Sequence, residues 1–500
     1  MGTGNENSNS RLPCPVIQGG TLKELIEKAL RVAKEEGATY ADVRIVSTND
    51  QQLKVKKGEL VGLTDEESKG FGIRVIADGA WGFSSSYQLT ADQVERVARE
   101  AVAIAKASAK VAHDPVRLAK IEVHVDDVPS GIADDPRFIP FKKRIAHAME
   151  ADKSMELPGI VTHSVNLYNR YQEKYFASSE GAFIRQEDVK AGCGMMAFAS
   201  DGKTYARRSY PAGQFGDYSR EGWSFIERQK LVENGPKTAQ EALGILKAKP
   251  CPKGRKDIVI NGSHMALQVH ESLGHPVELD RVLGTEAAYA GKSFMTPDLL
   301  NNLQYGSKIV NITADATIPH AFGGLAYDDE GVKAKRVYLV KDGLFVGYLN
   351  SREDSAQLGL EPMGAMRASG WDRIPIVRMV SVNLEPGDQT FEQLIGGIED
   401  GIYFADTLSW SIDDRRWNFQ FSTEVGWEIK NGKLGEMIKQ PSYQGITPEF
   451  WNSCDGIGNR DTWRVWGVPN CGKGEPMQMM HVSHGCPPTR FRNVEVGVGA

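Results

Sequence analysis

Thr21-Leu22-Lys23-Glu24-Leu25-Ile26-Glu27-Lys28-Ala29-Leu30 reads as the opening of an amphipathic helix. Thr21 and Glu24 stand three apart, as a capping box requires, and Leu22, Leu25, Ile26, Ala29 and Leu30 recur at helical spacing. Gly37 suits the end of that helix, where a left-handed residue is wanted. Strand-like segments follow over residues 41–46, 52–55 and 71–76, and Asp78-Gly79 is a hairpin signal ahead of Trp81 and Phe83. A second helix opens at Thr90, with Gln93 in the capping-box position and Val94, Val97, Ala101 and Ile104 as its apolar positions. Such a helix–strands–helix unit places helices on one face of an antiparallel sheet, which makes the fold class α+β.

Working outward, residues 121–206 read as further strands, notably 168–176 and 192–198, interrupted by a helix near 141–149. A helical stretch over 237–246 leads to Lys249-Pro250-Cys251-Pro252-Lys253-Gly254, whose composition marks a domain boundary. The expected organisation is an N-terminal α+β domain over 15–248 and a β-rich C-terminal domain over 249–500. The second opens with a strand at 257–260 and a helix from Ser263. Short strands and turns follow, among them 335–340 and 344–348 joined by Lys341-Asp342-Gly343, and a turn at Asn431-Gly432.

A chain of 500 residues buries large cores without disulfide staples. Its net charge of -6, from 59 basic and 65 acidic residues, argues against a general nucleic-acid surface. No apolar run approaches the roughly 18–20 residues of a membrane span, so no membrane role is expected. Residues 1–14 are polar and lack the apolar core of a secretory signal, which predicts a disordered tail. The six cysteines, at 14, 193, 251, 454, 471 and 486, are scattered, which fits a reducing cytoplasm better than a disulfide framework.

The chemistry concentrates at His270-Glu271-Ser272-Leu273-Gly274-His275. Zinc in a hydrolytic site takes neutral imidazoles or anionic ligands and keeps one position open for water, which a neighbouring carboxylate deprotonates. The familiar H-E-x-x-H spacing sets both histidines on one helical face. Here the step is five residues, which on a regular helix separates the two by about 140°. Gly274 tolerates unusual backbone angles and Pro276 disfavours helical geometry at His275. The expectation is therefore that the helix ends or distorts at Gly274 and swings His275 back towards His270.

The motif and its surroundings resemble the modulator-of-DNA-gyrase family that includes TldD and PmbA, and within it the TldD-like catalytic members. The resemblance also rests on Tyr40-Ala41-Asp42, Gly70-Phe71-Gly72-Ile73-Arg74-Val75-Ile76, Asp328-Asp329-Glu330-Gly331, Gly396-Gly397-Ile398-Glu399-Asp400-Gly401-Ile402-Tyr403 and Asn470-Cys471-Gly472-Lys473-Gly474. It implies a Zn2+ held by His270, His275 and Cys471, with Glu271 as general base. It further implies hydrolysis of small or unfolded peptides inside a dimer, either a homodimer or a heterodimer with a PmbA-like paralogue. The alternative is a noncatalytic peptide-binding subunit of such a complex. Cys454 and Cys486 are rivals for the third ligand, and His481, His484 and Cys486 make a rival metal pattern. His320, ahead of Gly323 and Gly324, suggests a residue beside the metal or substrate on a mobile loop.

Overall fold

The computed structural model describes residues 16–17, 20–213, 216–288 and 291–498; the tail expected over residues 1–14 lies outside them. The fold is α+β. Helix α1 (Leu22–Glu35) starts at the expected capping box, with Thr21 and Glu24 bonded reciprocally. It packs with α2 (Ala91–Ser108) against one face of a sheet, burying Leu25, Ile26, Ala29, Val94, Val97 and Ala101. Ile104 faces outward instead, and Ala105 completes the buried stripe.

Among the described residues that sheet has eight strands. They are β1 (Tyr40–Lys56), β2 (Glu59–Ala77), β3 (Ala80–Ser86), β4 (Val125–Val128), β5 (Ile160–Ser178), β6 (Phe183–Ser200), β7 (Tyr205–Tyr210) and β8 (Asp217–Ser219). The order is β8-β6-β5-β1-β2-β3, with β4 and β7 also pairing β6. Several strands are far longer than their apolar segments. β1 runs unbroken through Ser47–Gln52 because both of its edges are paired: Thr48 lies opposite Ser68 on one side and Gln172 on the other. Two-sided backbone bonding carries the strand across residues whose side chains give no alternation signal. Helices α3 (Phe141–Ser154) and α4 (Leu231–Lys247) cover the other end of the sheet, around Met155, Val165, Leu167, Trp223 and Ala239.

The C-terminal half is built on β9 (Gly254–Ile260), β10 (Asp400–Ile412), β11 (Asn418–Lys430), β12 (Lys433–Lys439) and β13 (Ser442–Ile446), together with a late strand, Thr489–Val496. β9 pairs β10 and the late strand, β10 pairs β11, and β13 pairs both β11 and the late strand, so the pairings close a ring. Lys249-Pro250 joins the edge of this sheet beside β12, so the Pro/Lys-rich stretch is itself hydrogen-bonded to the C-terminal half. Helix α5 (Gly262–Val269) follows β9 directly and packs its His264 and Gln268 against Tyr443. A separate hairpin, β14 (Arg464–Lys473) with β15 (Gln478–Cys486), lies against α5 and carries Cys471 to His270 and His275.

Candidate metal centre

Asn261 caps α5 by accepting from the His264 N–H, and Asn261 Nδ2 and the Ser263 hydroxyl both donate to Asp406. The helix is thus bolted to the barrel strand β10 at its start, about two turns before the motif. It then continues from His270 to Gly274 as a π-helical turn. The His275 N–H bonds the His270 carbonyl at 3.1 Å, five residues back. In such a turn residues five apart stack one above the other, which cancels the offset expected on a regular helix. The imidazole centroids of His270 and His275 stand 4.8 Å apart.

The distortion therefore begins at His270 and not at Gly274. His275 keeps right-handed helical angles, φ -68 and ψ -41, in spite of Pro276. Gly274 serves a different end from the one expected. A Cβ at this position would lie 2.2 Å from Met379 Sδ, so glycine is needed for close packing. Where the helix ends, the Ser272 carbonyl accepts from Tyr305 Oη at 3.0 Å and the Ser272 hydroxyl accepts from Trp451 Nε1 at 2.9 Å.

The ligand atoms of His270, His275 and Cys471 lie within 4.8 Å of one another, and all three residues are buried. Cys471 Sγ is 3.7 Å from His275 Nε2. Tetrahedral zinc, with Zn–N of about 2.0 Å and Zn–S of about 2.3 Å, sets an N–S edge of about 3.5 Å, close to the His275–Cys471 separation, so the donor set fits such an ion. Both rings are oriented from behind. His275 Nδ1 donates to Glu278 Oε2 at 2.9 Å, leaving Nε2 to face the sulfur. His484 Nδ1 is 2.8 Å from the Val382 carbonyl, which can only accept, so that nitrogen carries the hydrogen. His484 Nε2 is then an acceptor, and His270 Nδ1 donates to it at 2.8 Å. The relay leaves the remaining nitrogen of His270 as the one turned to the cluster.

Cys471 sits just past an irregularity in the hairpin, where Pro469 and Asn470 interrupt the pairing between Val468 and Cys471. The buried Arg378 fastens both strands, donating to the carbonyls of Cys471 and Gln478. Burial by itself pushes the Cys471 thiol up, but His270, Arg378 and His275 outweigh it and hold the thiol well below its ordinary range. The sulfur is thus poised as thiolate, the form that binds metal. Burial pushes His270 down, and the Cys471 charge outweighs it and raises that ring. His275 and His484 are both held low, chiefly by burial. Two residues beyond Cys471, the buried Lys473 donates to Asp280 at 2.6 Å and stands 3.5 Å from Glu278, neutralising the carboxylate behind His275.

Glu271 lies beside the cluster, with Oε2 3.0 Å from Arg416 Nη1. Arg416 comes from the turn between β10 and β11, with a left-handed backbone at φ 65. All five residues border a cavity of about 340 Å³, walled also by Thr407, Trp410, Trp466 and Val468. That is within the usual size of a ligand cleft.

Other residues singled out in the sequence fall elsewhere. Cys454 is buried near the late barrel strand, outside the cluster. On β15 the side chains alternate, so His481 stacks on Phe322 while His484 meets His270; the rival pattern of His481, His484 and Cys486 does not assemble. His320 borders a different cleft, with Asp217 and Arg464. The glycines after it are buried and packed: a Cβ on Gly323 would lie 2.5 Å from the Val380 carbonyl oxygen. They permit close packing and not hinge motion. Glu278, Lys473, Arg378, Arg416 and the supporting role of His484 escaped sequence reasoning. Only Glu278, three residues after His275, and Lys473, two after Cys471, had a positional signal.

Three family models match the chain in succession: PmbA/TldA metallopeptidase domain 1 over residues 41–105, the central domain over 134–245 and the C-terminal domain over 253–498. A metalloprotease of Methanothermobacter thermautotrophicus is 31% identical over 463 residues, 93% of this chain and 96% of that protein. A zinc metalloprotease TldD homolog of Saccharolobus solfataricus is 24% identical, over 94% and 99% of the two chains. The crystal structure of TldE from Thermococcus kodakarensis matches with a TM-score of 0.72 at 14% identity, over 94% and 99%. Spanning nearly the whole sequence, these matches show that the chain belongs to the PmbA/TldD family of metallopeptidases.

Proposed function

We propose that the chain is a zinc-dependent peptidase of the TldD type, with His270, His275 and Cys471 as ligands and Glu271 as general base. The observation that carries this reading is the convergence of two imidazoles and a cysteine sulfur beside Glu271 at the wall of one cleft. A bound zinc supplies Lewis acidity and an acidified water. The protein's own residues do the rest. Glu271 accepts the water's proton on a carboxylate oxygen and returns it to the leaving nitrogen. Arg416, paired to Glu271 and bordering the same cleft, holds that carboxylate in place. Glu278 and His484 hold the ligand rings in one orientation.

The cleft suits short or unfolded peptides, which enter as extended chain. The proposed working form is a dimer, with a second copy or with a PmbA-like paralogue, a reading supported by the TldE fold neighbour. A reducing cytoplasm keeps Cys471 a free thiol. Among the described residues no helix is long and apolar enough to cross a membrane.

The test pairs metal analysis with a peptide-cleavage assay. Wild-type protein should bind one zinc per chain and cleave. Glu271→Gln should keep the zinc and lose cleavage, and Cys471→Ala should lose the zinc. Wild-type cleavage by Glu271→Gln refutes the assigned base. Zinc binding without cleavage, alone and with a paralogue, favours the peptide-binding subunit.

A further inference from the structure

Beside the β14–β15 hairpin, between strands β5 and β6 and the loops around Asp329 and Arg367, lies a cavity of about 80 Å³. Four cationic side chains border it: Lys174, Lys190, Arg220 and Arg367. Asp188 is shared by Lys190 at 2.9 Å and Arg220 at 2.7 Å. Asp329 is shared by Lys174 at 2.7 Å and by Arg44 at 3.7 Å. Glu187, on the same wall, is committed to Arg185, which also binds Glu173 and Asp127. Arg367 forms no ion pair among the described residues. Its Nη1 donates to the carbonyls of Met379 at 2.7 Å and His481 at 2.9 Å, and its other N–H groups have no acceptor among the described residues.

Positive charge therefore exceeds negative at this buried place. The titration of its members agrees. Burial first, and then Arg378, bring Arg367 down to about 10. Burial brings Lys190 down to about 8 in spite of Asp188. His481, 3.4 Å from Lys190 Nζ, is held low by burial and by Lys190, Arg170 and Arg367. An uncompensated buried cation is costly, and water satisfies its N–H groups without balancing its charge.

We propose that this cavity is a binding site for a small inorganic oxyanion of the phosphate or sulfate class, held by the Arg367 guanidinium with Lys190 and Arg220. The guanidinium fork matches two oxygens of such an ion, and Lys190 adds a point charge. One water needs roughly 10–15 Å³ of such space, so the cavity takes one compact oxyanion with few waters and excludes a peptide segment. The site is independent of the metal cluster and of the activity proposed for it.

Inorganic phosphate is the probe, titrated calorimetrically into the full-length protein at constant ionic strength in an oxyanion-free buffer. Thermal melting runs in parallel, since a ligand of the native state raises Tm by mass action. The wild type should show one saturable site and a phosphate-dependent rise in Tm. Arg367→Met should weaken binding at least tenfold and lose the rise. Arg367→Lys should retain part of both, and Arg228→Met, elsewhere on the surface, should retain all. Should Arg367→Met fail to fold, Lys190→Met carries the same expectation. The absence of saturable binding in the wild type overturns the proposal. So does wild-type affinity in Arg367→Met or in Lys190→Met, since phosphate would then lie elsewhere.

Discussion

His484→Leu isolates the relay behind His270. Leucine fills much of the imidazole's volume but offers no acceptor to His270 Nδ1 and no donor to the Val382 carbonyl. Both partners are buried, so neither recovers a bond from water. Leaving one buried polar group unsatisfied costs about 1–3 kcal/mol. If that cost falls on the metal-binding form, zinc affinity drops about 5- to 150-fold, at 1.4 kcal/mol per factor of ten. Losses of about 10–100-fold are usual for removal of a residue that orients a ligand histidine. The assay is competition for zinc against a fluorescent chelator, with thermal melting to separate affinity from general loosening. His484→Gln should recover much of the affinity, because its amide can accept from His270 and donate to Val382. His481→Leu, in the same strand but facing Phe322, should disturb packing and leave zinc affinity near wild type. Wild-type affinity in His484→Leu would refute the relay, as would equal losses in His484→Leu and His481→Leu.

Gly274→Ala should destabilise the fold by about 1–3 kcal/mol through overpacking against Met379 and should lower zinc content. Met379→Ala in the same chain should return part of both, measured by denaturant unfolding and metal analysis. Lys473→Met leaves Glu278 and Asp280 without their shared ammonium, and breaking a buried pair in this way costs about 3–5 kcal/mol; unchanged Tm would count against it. Asp354 is pushed up to about 7, first by burial and then by the negative charge of Asp280. A carboxyl with a raised folded pKa binds a proton in the native state that the unfolded chain releases near its ordinary value. Its contribution is therefore present below about pH 4 and lost as pH rises through about 7, at most about 4 kcal/mol. Asp354→Asn keeps the Ser351 capping bond and should flatten the fall in Tm between those limits. A slope like that of the wild type would show that other groups set it.

Much of this protein was legible in the order of its residues. The capping box at Thr21 and Glu24, the left-handed turn at Asp342-Gly343 and the apolar face of α1 are local, and local sterics and burial decide them. The α+β class followed from the same kind of signal; the candidate motif at His270–His275 stood out by its residue types, and its resemblance to one family pointed to Cys471, which the fold brings beside it. The tertiary structure decided the rest. The length of β1 through its polar middle came from ladders on both edges, supplied by β2 and β5. The π-helical turn that reconciles five-residue spacing with two facing imidazoles is seated by Tyr305, Trp451 and Met379, each distant in sequence. The groups that orient and charge the cluster, Lys473, Arg378, His484 and Arg416, are polar residues whose partners lie on other elements, and Glu278, three residues from His275, is itself matched by the distant Lys473. A buried polar side chain is defined by what satisfies it, and that partner is known only once the chain has folded.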